Sequence, residues 1–324
     1  MIRPFAIRTD AEKATDAIEK SVVSVLAYFD IFRYPLTIGE IEQFRAAGGA
    51  NRDIHACLDR LLRKGIIFRV GDFYSLQSNI LLGHRRKEGN MRALAMLDKA
   101  IRIGRFLYRF PYVKAVGISG SLSKNFATET SDFDFFIVTA ANRLWIARTL
   151  MHAFKKLVIL LGRQRYYCMN YYIDEKAMVL NDRNIYSAIE LKTLLPVAGS
   201  QRFADLFSWN SWADDLLPFC SYRKQALPDP GKGFFKWIVE SVFNNRLGER
   251  LDNWLFHISS KRWEKKELAG KTNERGEVMC LLTAKHFAKS NPGEFQERML
   301  QLYENRCKVL LQQLQGGSIS SENL

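Results

Sequence analysis

Asp132 and Asp134 stand at i and i+2 in the run Ser131-Asp132-Phe133-Asp134-Phe135-Phe136-Ile137-Val138. On an extended chain, residues at that spacing project from one face, so two carboxylates are held side by side. Like charges so placed repel unless a cation lies between them, which makes the pair a natural clamp for Mg²⁺ rather than a device for stabilising a fold. Upstream, Gly117-Ile118-Ser119-Gly120-Ser121-Leu122-Ser123-Lys124 sets a small-residue turn after an apolar run. A strand ending at Ile118-Ser119, a turn through Gly120-Ser121 and a helix from near Leu122 would gather backbone amides and the Ser121 and Ser123 hydroxyls into one space suited to a triphosphate. Gly120 permits a close approach that a side chain would block. A phosphate cradle beside a divalent-metal clamp is what phosphoryl or nucleotidyl transfer requires.

The elements that must position these residues are legible around them. Residues 113–119 and 133–139 read as strands, 143–161 as a helix and 166–173 as a further strand, an interleaving that argues for an α/β core. A basic helix over 84–109 precedes them, with Leu94, Leu97, Ile101 and Leu107 as its packing stripe. Beyond about residue 196 the periodicity is helical, with helices near 234–260 and 294–314. Its aromatics, among them Trp209, Trp212, Phe234, Phe235, Trp237, Phe243, Trp254, Phe256 and Trp263, are expected in a helical core.

Residues 17–80 read as three short helices and a hairpin. Val22, Val25, Leu26 and Phe29 mark the first helix, which Tyr34-Pro35-Leu36 ends. Thr37-Ile38-Gly39-Glu40 is a capping box that starts the second at Ile38. Asn51 caps the third, which buries Ile54, Cys57, Leu58, Leu61 and Leu62 and stops at Gly65. Two strands flanking Gly71-Asp72 complete an arrangement that resembles the winged-helix domain. Arg52, His55, Arg60, Arg63 and Lys64 would then face a nucleic-acid duplex, although Asp53 and Asp59 oppose phosphate and such domains also dock proteins.

The Gly120-Ser121 turn, its spacer and Asp132-Phe133-Asp134 between apolar neighbours resemble the signature of the DNA polymerase β-like nucleotidyltransferase superfamily, over roughly residues 110–175. The resemblance implies an α/β (α+β) core with a mixed sheet and transfer of a nucleoside monophosphate from NTP, with pyrophosphate released and two Mg²⁺ ions as cofactors. It implies that Gly120 and Ser121 hold the triphosphate and that Asp132 and Asp134 hold the metal; the Ser123 hydroxyl of the same turn and Lys124 are added as nucleotide-binding candidates from their positions, Lys124 being otherwise an ordinary surface cation. The family's third carboxylate, a metal ligand and candidate base on a following strand, is assigned to Asp174, with Glu175 the competitor because one residue of register exchanges them. Asn125 stands where many small members have glycine, and asparagine tolerates the same left-handed turn. Arg143 and Arg148 are further cations for phosphate, or ordinary surface charges. Glu190 is a candidate ligand for a cation or a substrate amine, or a solvated carboxylate. His286 has no spaced His or Cys companion and reads as structural.

Three domains are expected: 1–83 winged-helix-like, 84–200 the transferase core, and 201–324 a helical region with a flexible tail. The 324 residues carry 48 Lys and Arg against 34 Asp and Glu, a net charge of +14 that favours polyanionic partners. Five scattered cysteines suit neither a disulfide framework nor a zinc site, and with no long apolar segment the chain reads as cytoplasmic. The acceptor could be nucleic acid, a small molecule or a protein. An alternative function is a nucleic-acid-binding regulator whose transferase domain senses nucleotide, and a third places the aromatic and basic segment 234–266 on an acidic membrane surface.

Overall fold

The computed structural model describes residues 10–47, 54–160, 162–231, 233–272 and 276–315. In chain order the elements begin with helices α1 (Asp10–Ile31), α2 (Ile38–Phe44) and α3 (Ile54–Arg63) and strands β1 (Phe68–Val70) and β2 (Phe73–Ser75). Then come α4 (Leu81–Leu107), β3 (Val113–Ile118), α5 (Gly120–Ser123), β4 (Asp134–Thr139), α6 (Leu144–Leu160), β5 (Cys168–Asp174), α7 (Ile185–Thr193) and β6 (Leu195–Ala198). The chain closes with α8 (Ser200–Trp209), α9 (Trp212–Leu216), α10 (Phe234–Phe243), α11 (Arg246–Leu268), β7 (Leu281–Ala284), β8 (Phe287–Ser290) and α12 (Phe295–Leu314).

Contacts divide the chain into two compact units. The first holds residues up to Glu88, together with 212–221 and the chain from Glu297. Val22, Val25, Leu26 and Phe29 of α1 are buried, as their helical spacing predicts. The capping box forms as the sequence requires: the Glu40 amide donates to Thr37 Oγ1 (3.2 Å) and the Thr37 amide to Glu40 (2.9 Å). β1 and β2 pair antiparallel, and Leu36 bridges to Tyr74 beside them. Arg86 of α4 is buried between an ion pair with Glu40 and the face of Tyr34, so this member of the basic helix is a core residue. The Asn51 cap and Arg52 lie outside the described residues. Of the remaining candidates, Arg60 on α3 and Lys64 just after it both bind Glu19 of α1, at 2.9 and 2.8 Å, while His55 and Arg63 are exposed.

The second unit, 89–211 with 222–296, is built on a six-stranded mixed sheet of order β6-β3-β4-β5-β8-β7. β4 and β5 are parallel and the other neighbours antiparallel. Ile118, Phe133, Phe135, Ile137 and Trp145 anchor its core. Two expectations for the C-terminal region need correction. Leu281–Ser290 is not helical but a hairpin that extends the sheet beyond β5, held there by ladder pairing and by the Trp145 indole donating to the Lys285 carbonyl (3.1 Å). The aromatics there are not mainly core: Phe243 and Phe256 pack on it, but Trp209, Phe234, Phe235, Trp237 and Trp254 are exposed.

Candidate active site

Antiparallel pairing sets the end of β3 against the start of β4, with Ile118 opposite Phe135. This register brings Gly120 to Asp134 although the spacer between them is long. The Ser119 amide donates to the Asp134 carbonyl (2.9 Å), fastening the turn to the strand. Gly120 adopts φ +67°, and a Cβ there would lie 2.3 Å from Oδ2 of Asp134. Glycine is therefore required twice, for its backbone conformation and for the carboxylate that lies against it. α5 is a single turn, closed by Asn125 at φ 56°, the left-handed conformation expected of it. Downstream, Phe126 occupies the space beside Gly89 of α4, where a Cβ would meet its ring at 2.2 Å.

Asp132 and Asp134 are both half-exposed, whereas Phe133 between them is buried against Tyr166. Phe133 extends the ladder one residue before β4: its amide donates to the Arg165 carbonyl, and its carbonyl accepts from the Cys168 amide. From the following strand Asn170 touches Asp134: its amide donates to Asp134 Oδ1 (2.5 Å) while its oxygen accepts from the Cys168 thiol (3.1 Å). Burial, reinforced by the nearby Asp134 charge, pushes that thiol up to about 12. The sequence contained Asn170 in plain view, but an amide carries no charge pattern by which to single it out.

Lys124 and Glu190 form an ion pair (2.7 Å), and Lys124 also donates to the Gly120 carbonyl (3.1 Å). Glu190 is thus tied to the Gly120 turn through Lys124. Tyr186 on the same helix, α7, is raised well above the ordinary phenol value by burial, and then by the charges of Glu190 and Asp134. Ser121 is exposed beside the turn. The Ser123 hydroxyl is not: it is buried and donates back to the Gly120 carbonyl (2.9 Å), so it stabilises the turn instead of facing a ligand.

Asp174 is not brought to the site, which corrects its assignment as third carboxylate. β4 and β5 run parallel, so Asp134 pairs with Cys168 and Asp174 pairs with Thr139 at the opposite end of the strands. Five residue steps along β4 lie between the two ends, roughly 16 Å at the rise of an extended chain. Asp174 is fully buried and accepts from the Asn142 amide (2.9 Å), the Lys176 amide (2.8 Å) and His286 Nδ1 (2.8 Å). Glu175 lies at that same end, accepting from the Ala141 amide and pairing with Arg202. Arg143 is there too, donating to the Asn142 and Asn245 carbonyls, and Arg148 is buried beside Trp145 and Tyr172. His286 links the β7–β8 hairpin to the end of β5, through its ring to the Asp174 carboxylate and through its carbonyl to the Asp174 amide (3.0 Å).

Two hard carboxylates suit Mg²⁺, which commonly takes one or two of them and completes its shell with water and phosphate oxygens. The donor set therefore fits that ion, although the described residues contain no cluster of three metal-ligating side chains.

Residues 97–190 match the family model described as nucleotidyltransferase domain. The matched segment contains the Gly120 turn, both aspartates, Asn170 and Glu190. No curated protein and no solved structure matches the chain significantly. A nucleotidyltransferase domain on a mixed α+β sheet points to transfer of a nucleoside monophosphate as the general class of activity.

Proposed function

We propose that residues 97–190 form an Mg²⁺-dependent nucleotidyltransferase site that moves NMP from NTP to an acceptor and releases pyrophosphate. The observation that carries this reading is the contact of Asp134 with the Gly120 turn, which joins the carboxylate pair and the backbone cradle in one place. Asp132 and Asp134 would hold the ion, which when bound neutralises phosphate charge and polarises the phosphoryl group under attack. Gly120 leaves backbone open at the turn, and Ser121 offers an exposed hydroxyl to the β- and γ-phosphates. Lys124 would exchange Glu190 for a phosphate oxygen, freeing Glu190 to receive the acceptor's proton. Asn170 fixes the rotamer of Asp134 through its hydrogen bond. The acceptor class is left open among nucleic acid, small molecule and protein.

Asn170 also favours a second reading, a domain that binds nucleotide without turning it over, because an amide stands beside the pair where the family resemblance implies a carboxylate. One experiment separates the two. Each NTP is titrated into the full chain by calorimetry with and without Mg²⁺, beside Asp132→Ala/Asp134→Ala, and α-labelled NTP is followed into RNA, protein and small-molecule fractions. Mg²⁺-dependent binding that the double variant loses, with label transferred, is the expected result. Binding without transfer or pyrophosphate release selects the sensing reading. No binding of any NTP overturns both.

A further inference from the structure

Helix α10 holds its charged residues against the protein and leaves aromatic side chains uncovered. Its charged residues face the protein: Lys236 is buried and donates to the carbonyls of Tyr108 (3.0 Å) and Val113, and Glu240 accepts from the Tyr112 amide (2.8 Å). Val239 and Phe243 pack on the core, whereas Phe234, Trp237 and Val242 face outward, 75%, 60% and 56% exposed. The hydrogen bonds of Lys236 and Glu240 thus act beside the packing of Val239 and Phe243, and the helix is left with uncovered aromatic side chains where exposed positions are ordinarily polar.

Beside the start of α10 lies a groove of about 610 Å³, lined by Phe106, Phe110, Phe154, Leu157, Phe234 and Phe235. That volume is within the range of pockets that take small ligands or single chains. The groove is continuous with a smaller one through Phe106 and Arg109, and this second part is lined by Arg102, Arg105 and Arg109. One end is hydrocarbon and the other guanidinium. Leu157 and Leu160 at the end of α6 add exposed apolar surface. On α11, Leu247, Arg250, Trp254, Ile258, Lys261 and Lys265 are exposed and follow one another at helical spacing, again mixing apolar and basic groups.

We propose that this face docks on an anionic lipid bilayer, with the arginine end of the groove meeting lipid phosphates and the aromatic residues of α10 entering the acyl boundary. Charge complementarity selects this occupant: exposed aromatics joined to arginines, on a chain of net charge +14, suit an acidic interface better than a neutral protein surface. Among the described residues no helix is long and apolar enough to cross a membrane, so the contact is peripheral. Docking is independent of the nucleotidyl-transfer reading, since none of these residues belongs to the Gly120–Asp134 site.

The test is flotation of the full chain with vesicles of phosphatidylcholine alone or with one-third phosphatidylglycerol, at low and high salt. The expected result is binding to the anionic vesicles only, weakened by salt, with tryptophan fluorescence quenched by chain-brominated lipid. Phe234→Ser/Trp237→Ser and Arg102→Glu/Arg109→Glu, all exposed positions, should each weaken binding at least tenfold while circular dichroism is unchanged. Absence of vesicle binding, or binding indifferent to both variants, overturns the proposal. So does binding of a monomeric acyl phosphate without vesicle binding, which would make the groove a pocket for a soluble amphiphile. Sedimentation showing a stable dimer dissolved by Phe234→Ser/Trp237→Ser would overturn it as well, assigning the face to a second copy.

Discussion

The two ends of the parallel pair β4 and β5 both carry aspartates, and they are used in opposite ways. At the start of β4, Asp132 and Asp134 are half-exposed, and Asp134 lies against a glycine turn with an amide as a neighbour. At the far end, Asp174 is fully buried, with two backbone amides and an imidazole bound to its oxygens. A carboxylate whose lone pairs are already satisfied inside the protein is a fastener, whereas one held in place but open to solvent can take a cation. Residue type is the same at both ends. Exposure makes the difference.

The comparison can be broken or sharpened by four measurements. Gly120→Ala places a methyl on the Asp134 carboxylate and forces an alanine to φ +67°, so nucleotidyl transfer or Mg²⁺-NTP affinity should fall at least about a hundredfold. An unaffected variant would separate the turn from the site. Asp174→Ala leaves two amides and His286 without their acceptor and should cost about 2 kcal/mol in urea unfolding. Its Mg²⁺-NTP affinity should stay within twofold of the wild type, and a selective loss of affinity would restore Asp174 to the site. Asn170→Asp adds a carboxylate beside Asp134 and should tighten Mg²⁺ dependence by about tenfold. Weaker dependence would show the amide itself to be required.

The smallest effect concerns Asp252 of α11, which accepts from the Ile146 amide near the start of α6 (2.8 Å). Burial, opposed by the Ile146 and Trp145 amides, pushes it up to about 6. A carboxyl raised in the folded state binds its proton more tightly there than in the unfolded chain. Its stabilising contribution is therefore full below the ordinary value of about 4 and is lost as pH rises through 6. The urea midpoint should decline with pH across that window, and Asp252→Asn should flatten the decline. An unchanged slope would assign it to other groups.

Local signals in the sequence were reliable where the chain acts on its immediate neighbours. The Thr37–Glu40 capping box forms, Asn125 takes the left-handed turn, and the edges of β3, β4 and α6 fall within two residues of those read from periodicity. The expectation failed where a partner distant in sequence decides the outcome. The family resemblance puts a third carboxylate on the following strand, and Asp174 at its end is the choice, but whether that end meets Asp134 depends on β5 running parallel to β4. Segment 281–290 reads as part of a helical region until β5 offers it an edge. The aromatics of α10 read as core residues from their helical spacing, yet Phe234, Phe235 and Trp237 are exposed.

By itself, then, the sequence determined the ingredients: a glycine turn, two aspartates at strand spacing, an amphipathic α10 and an excess of cations. These follow from backbone conformation and from side-chain periodicity, which act over a few residues. Tertiary structure alone decided which carboxylates share a site, that Asn170 is a neighbour of Asp134, that Lys124 binds Glu190, and that Lys236 and Glu240 face the protein while Phe234 and Trp237 of α10 are exposed. The physical reason is that strand direction and hydrogen bonds between remote segments fix side-chain partners, and neither is encoded in the spacing of residues along one strand or helix.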